Sequence, residues 1–88
     1  MKTAFTNKFL QQISSGRFRD IHKKIEKVII DVEKAGSLSQ IKNLKKLKGQ
    51  TKYFRIRSGD YRIGLYIENQ VIEFTTIDHR KDIYKHFP

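Results

Sequence analysis

After a short alternating stretch at its start, the chain passes from the three-and-four apolar repeat of helices to the alternation of strands. Lys2 to Thr6 alternates apolar and polar residues and is compatible with a short strand. Thr6 then suits a helix N-cap, and Phe5 before it and Leu10 four positions after it have the spacing of a hydrophobic staple. The helix opened there is short and ends in the turn cluster Ser14-Ser15-Gly16. Phe18, Ile21, Ile25, Val28, Ile29 and Val32 follow at spacings of three and four, one apolar stripe on an amphipathic helix. Lys23, Lys24, Glu26, Lys27 and Glu33 occupy its other side. Gly36 is the expected stop, with Lys34 in the last turn to meet the carbonyl end of the helix dipole. The two segments together predict a helical hairpin.

Ser37 to Gly49 reads as a connector with a brief helical turn, carrying Ile41, Leu44 and Leu47 among lysines. Period two then takes over. Tyr53–Arg57, Tyr61–Ile67 and Val71–Ile77 predict three strands, joined through Ser58-Gly59-Asp60 and Asn69-Gln70. Two-residue turns at Gly59-Asp60 and Asn69-Gln70 set Ile56 opposite Ile63, Phe54 opposite Leu65, Leu65 opposite Phe74 and Ile67 opposite Ile72. Slipping either hairpin by one residue would mix charged and apolar side chains on each face. The apolar face of this meander must receive the helices, which predicts an α+β fold: an N-terminal helical hairpin on a twisted, mainly antiparallel β-sheet. The chain of 88 residues suffices for one such domain, spanning 1–88, over a thin core.

The same register gathers charge on the opposite face. Arg57 lands opposite Arg62, and Arg55 opposite Gly64. Like charges paired across strands destabilise a sheet, so the pairing makes sense where a polyanion sits, since guanidinium groups grip phosphate oxygens in bidentate fashion. Gly64 then leaves a gap for a phosphodiester backbone to approach. The last strand runs to Ile77, opposite Arg62 in this register, so that Asp78 to Tyr84 emerges beside the arginines. His79 is the side chain there whose ordinary pKa suits proton transfer near neutrality, and Tyr84 can donate a hydrogen bond or stack on a base. Such a set suits phosphoryl transfer from an RNA 2′-hydroxyl. Phe87 reads as an aromatic docking the C-terminus on the sheet, and His22 and His86 as incidental surface residues.

Composition sharpens this picture. Nineteen Lys and Arg against nine Asp and Glu give a net charge of +10, with a pI near 10.0. Eight of the basic residues fall between Lys42 and Arg62 against the single acid Asp60. A surface of this kind attracts phosphates. With no cysteine there is neither a disulfide nor a thiolate ligand or nucleophile. Asp78 and Asp82 stand alone amid cations, so no metal and no other cofactor is expected. The N-terminus has no apolar signal core and no run approaches a membrane span, so the chain reads as cytoplasmic, with no membrane partner.

Three stretches closely resemble the pattern of RelE-type toxins: Asn43 to Gly49, Tyr53 to Ile63, and His79 to Tyr84. The order of elements is similar too, so the likeness spans essentially the whole chain. The resemblance implies a RelE-like fold of the microbial-ribonuclease type and a toxin of a type II toxin–antitoxin system. It implies an endoribonuclease that cuts mRNA in the A site of the 70S ribosome. It also implies a cognate acidic antitoxin that wraps the toxin, with operator DNA bound only through that complex. By resemblance, Arg62 is a phosphate and transition-state ligand, Arg55 a basic residue of catalysis, Arg80 the arginine after the last strand, and Tyr84 the base-stacking tyrosine. His79 resembles a histidine that some relatives carry there. Lys45, Lys46, Lys48, Lys52, Tyr53, Arg57 and Lys81 are the expected RNA- and phosphate-binding residues. Tyr53 stands where the best-known members carry a second lysine, which leaves the general base open between Arg55, His79 and another group; His79 is the better proton acceptor. Two other readings compete: a ParE-like inhibitor of DNA gyrase that shares the fold without the basic set, and a module that binds RNA in a salt-sensitive way without cutting it.

Overall fold

The computed structural model describes residues 1–88. The chain runs through β1 (Lys2–Phe5), α1 (Asn7–Ser14), α2 (His22–Lys34), β2 (Leu44–Lys46), β3 (Tyr53–Ser58), β4 (Tyr61–Glu68) and β5 (Val71–His79), with short 3₁₀ turns at Arg19–Ile21, Leu38–Gln40 and Ile83–Lys85. The five strands form one sheet in the order β1-β5-β4-β3-β2, parallel between β1 and β5 and antiparallel elsewhere. Both helices cover one face. Phe9, Phe18, Ile25 and Val32 from that layer close over Ile56, Ile63, Leu65, Ile72, Phe74 and Ile77 from the sheet. A strand therefore precedes the helices, and β1 lies beside β5 rather than leaving the helices to open the fold.

Thr6 caps α1, its Oγ1 accepting from Phe9 N–H at 3.1 Å while donating to the Thr75 carbonyl at 2.8 Å. The hydrophobic staple differs from the expectation. The Phe5 ring stacks on Phe74 at 5.3 Å and Phe9 at 6.0 Å, and Leu10 remains 43% exposed. The second helix starts at His22 and not at Phe18, which reaches the core from a non-helical backbone. Gly36 has no left-handed cap geometry; Ala35 is already extended, and the Met1 amino group donates to the carbonyls of Val32, Glu33 and Ala35 at 3.2, 2.8 and 2.7 Å. The connector hides a further strand, β2, whose Leu44 pairs with Ile56 and Lys45 with Arg55. Its lysines suit an exposed edge, where they discourage pairing with another chain.

Both predicted hairpins close with two-residue turns, and the apolar pairs from Phe54 to Ile72 fall where the alternation sets them. Asn69 and Gln70 both take positive φ, as a type I′ turn requires. The register then breaks. Leu65 pairs with Phe74 but Gly64 with Thr76, so Thr75 is an extra residue, a β-bulge, and Arg62 faces Asp78 where an unbroken ladder sets Ile77. Ile77 moves onto Ile63 in the core.

Beyond the bulge β1 has ended, and the edge of β5 is completed by a side chain. Gln12 of α1 accepts from Ile77 N–H at 2.9 Å and donates to Ile77 C=O at 3.2 Å and Thr76 Oγ1 at 3.1 Å, doing for one residue what a neighbouring strand would do. Gln12→Ala leaves both backbone groups unpaired and is expected to cost about 1–3 kcal/mol. Urea unfolding should show a lower midpoint at unchanged m, and an unmoved midpoint would mean that water satisfies Ile77 equally well.

Candidate functional site

The face of the sheet away from the helices carries the arginines. Arg57 stands across from Arg62, and Arg55 across from both Gly64 and Lys45. The Arg62 guanidinium is held by backbone alone: Nη1 donates to the carbonyls of Gly59 at 2.8 Å and Tyr61 at 2.9 Å. Arg55 Nη1 likewise donates to Asn43 C=O at 2.8 Å, an acceptor presented by the positive φ of Asn43. Partial burial, together with the cations Arg55, Arg57 and Arg80, holds Arg62 below the usual arginine range, against a smaller opposing pull from Tyr84. It remains charged at any physiological pH. None of the ion pairs in the molecule involves Arg55, Arg57 or Arg62, and the contact of Arg80 with Asp60 is long, 3.9 Å, between exposed side chains. Four guanidinium groups thus share one neighbourhood with Tyr84 and almost no neutralising carboxylate.

The face is not bare. The chain after β5 crosses it, with Ile83 fully buried and Phe87 6% exposed. The Phe87 ring sits over Gly64, where a Cβ would come within 2.7 Å of it, and meets Tyr53 edge-on at 5.6 Å. The gap at Gly64 is therefore filled by the protein's own aromatic ring, as the docking of Phe87 requires, and is closed to a phosphodiester. Tyr53 is wedged between Tyr66 and Phe87, which makes it a support for this segment rather than a free stacking surface. Tyr84 stays 54% exposed on the same segment. It borders a pocket of about 390 Å³ with Lys45, Lys46, Lys48, Arg55 and Phe87.

Two expected site residues lie elsewhere, His79 and Lys52. His79 pairs with Tyr61, and their rings meet at 5.8 Å on the helix side of the sheet, where Tyr61 also packs on Phe18. The bulge turned it there, since one extra residue exchanges the faces of all that follow. Its Nδ1 is also occupied, accepting from Lys81 N–H at 3.2 Å. Lys52 forms an ion pair with Glu68 near the opposite end of the hairpin. Lys81 is exposed on the turn after β5.

Residues passed over in the sequence take part instead. Asp78, 5% exposed, accepts from Arg17 Nη2 at 3.0 Å and His79 N–H at 2.8 Å through Oδ1, and meets His86 Nε2 at 2.9 Å through Oδ2. His86 is thus no incidental surface residue, and Asp78 does not stand alone. His22 also has a partner, its Nε2 lying 3.1 Å from Ile13 C=O. Burial alone would raise the Asp78 pKa, but the contacts with His86, His79 N–H and Arg17 together hold it below the usual carboxylate range.

No family model matches this sequence. Over 91 residues it is 37% identical to Toxin RelE3 of Methanocaldococcus jannaschii, each chain being covered in full. The fold is similar to the crystal structure of the RelB–RelE antitoxin–toxin complex from Methanococcus jannaschii, with a TM-score of 0.75 and 35% identity over 97% of this chain and 99% of that one. It is also similar to the YoeB dimer from Staphylococcus aureus, with a TM-score of 0.69 over 91% and 97% of the chains; at 18% identity this likeness concerns the fold.

Two outcomes follow from this geometry. Gly64→Ala forces the Phe87 ring from its seat and should cost about 1–3 kcal/mol, most of which disappears in a Phe87→Ala background; additive losses in thermal melts would place the ring elsewhere. Asp78 keeps its charge to lower pH when folded than when unfolded. Its contribution is therefore full above the unfolded value of about 3.9 and is lost as pH falls through the lower folded value. Asp78→Asn should cost about 2 kcal/mol near neutrality and flatten the acid limb of a stability–pH profile below about pH 4.

Proposed function

This chain belongs to the RelE family, toxins of RelBE-type toxin–antitoxin systems, and we propose that it is an endoribonuclease that enters the ribosomal A site and cleaves mRNA there without a metal. The observation that carries this reading is the gathering of Arg55, Arg57, Arg80 and Tyr84 around Arg62 with backbone carbonyls, not carboxylates, as the acceptors that fix Arg55 and Arg62. The guanidinium cations repel a metal ion and a neutral phenol is a weak ligand for one, so the chemistry falls to side chains. In that chemistry the ribose 2′-oxygen loses its proton and bonds to phosphorus, and the bond from phosphorus to the 5′-oxygen breaks. A 2′,3′-cyclic phosphate and a protonated 5′-hydroxyl result. Arg62, anchored and partly desolvated, suits the non-bridging oxygens of the crowded phosphorus, with Arg55 and Arg80 on its flanks. Tyr84 offers an exposed ring to a base. His79 is not assigned the proton transfer, because it lies across the sheet from Arg62. The amines of Lys45 and Lys48, which line the pocket with Arg55 and Tyr84, are proton-carrying groups on the correct side. Lys46 and Arg57 extend the phosphate-binding surface.

The partner implied by family is an acidic antitoxin, as RelB is the partner of RelE in the M. jannaschii complex. A charge of +10 on so small a chain favours such a partner. Mapping mRNA 5′ ends after induction tests the proposal. Arg62→Ala should reduce cleavage about 100- to 1,000-fold, and an Arg62→Ala, Arg80→Ala double variant should abolish growth arrest. A double variant that still halts growth and still cuts mRNA overturns the reading. Loss of gyrase supercoiling activity with intact mRNA would assign the protein to the ParE branch instead.

A further inference from the structure

Asp78 is the one buried charged residue of the molecule, and the reaction proposed above gives it no part. It stands across the ladder from Arg62, the place from which a carboxylate would ordinarily neutralise that guanidinium. It is engaged instead by an ion pair with Arg17 and a hydrogen-bond contact with His86. The other ring nitrogen of His86 lies 3.5 Å from Lys8 Nζ, and both contacts are satisfied when Nε2 carries the hydrogen and Nδ1 accepts. One carboxylate so ties together the loop between the helices, the end of β5 and the C-terminal segment.

That segment is the one that carries Tyr84. Ile83 just before it is fully buried, and Phe87 after it is seated on Gly64. Between these two apolar anchors the His86–Asp78 contact is the polar anchor that ties the segment to β5. The short 3₁₀ turn at Ile83–Lys85 has no side-chain cap of its own to fix its orientation. We infer that Asp78 and His86 are positioning residues: the Nε2–Oδ2 contact fixes Tyr84 at the mouth of the arginine cluster, and neither group touches the substrate. The inference rests on reading that cluster as an RNA-cleaving site.

A double-mutant cycle between His86 and Tyr84 tests it, with cleavage on translating ribosomes as the first readout. The second is binding of a non-cleavable oligonucleotide, 2′-deoxy at the scissile position, to the isolated protein. His86→Ala should lower kcat on the order of 10- to 100-fold with little change in KM. His86→Gln, which keeps a hydrogen-bond donor in reach of Asp78, should restore most of the loss. In a Tyr84→Ala background, His86→Ala should change kcat by less than about 2-fold, because the group it positions is gone. An equal loss in both backgrounds would mean a general effect on stability and overturn the inference, as would a His86→Ala rate equal to wild type. If the alanine variant does not fold, His86→Asn, too short to reach Asp78, takes its place in the cycle. A wild-type protein that cuts no RNA refutes the nuclease reading alone; coupling between His86 and Tyr84 in oligonucleotide binding then still upholds the positioning role, and additivity overturns it.

Discussion

One extra residue in β5, Thr75, determines which side of the sheet every later side chain faces. With the bulge, Ile77 lies over Ile63 in the core, Asp78 faces Arg62, and His79 turns toward Tyr61 and the helices. Without it, Ile77 would stand among the arginines. Burying an isoleucine gains about 1.5–3 kcal/mol, more than a single ladder hydrogen bond contributes. The bulge also replaces part of what it disrupts, because Thr75 Oγ1 donates to Gly64 C=O at 3.0 Å and Thr75 C=O accepts from Thr6. Packing on one side of the sheet therefore dictates chemistry on the other: the requirement of Ile77 for the core brings a carboxylate to the arginine side and removes an imidazole from it.

The cationic face shows how like charges are kept together in a folded chain. Carboxylate partners would remove the repulsion but also fill the site. Here the carbonyls of Gly59 and Tyr61 both accept from Arg62 Nη1 and that of Asn43 from Arg55 Nη1, orienting the two guanidinium groups while leaving their charge unbalanced. Asp78 is the carboxylate placed to cancel Arg62, and Arg17 and His86 engage it first. Donors fixed in advance by rigid backbone lose little orientational freedom when an anion arrives, which is the condition for strong stabilisation of developing charge.

How far the sequence reveals this depends on whether a residue is placed by local pattern or by long-range packing. Thr6 as a cap, both two-residue turns and the pairing of Arg57 with Arg62 follow from alternation and turn chemistry, and all are local. β2 escapes because Leu44-Lys45-Lys46 has no pattern of its own and is a strand only through its pairing with β3. The bulge left a legible trace. Ile72 and Phe74 share one parity and Ile77 has the other, so an unbroken strand puts an isoleucine beside Arg62; that conflict is the sign of an inserted residue. Missing it misplaces His79 and hides Asp78 in a single step. Gln12, Arg17 and His86 carry no such trace, since their partners lie 65, 61 and 8 residues away and nothing in the spacing foretells them.

The features that ready the arginine face also weaken the fold. Like charges held at close range oppose the compact state, and a chain of 88 residues has a thin core with which to resist them. The compensations are therefore specific rather than bulk: the Met1 amino group on the end of α2, Gln12 on the edge of β5, Phe87 on Gly64 and Arg17 on Asp78. Each joins elements distant in sequence, and three of them bear on β4 or β5, the strands from which Arg62 and the Tyr84 segment depart. Stability in this molecule is concentrated where the geometry of the cationic face depends on it. A loss of Gln12, Phe87 or Arg17 should consequently disturb the arginine face as well as the stability of the domain, because these three ties hold the strands that carry it.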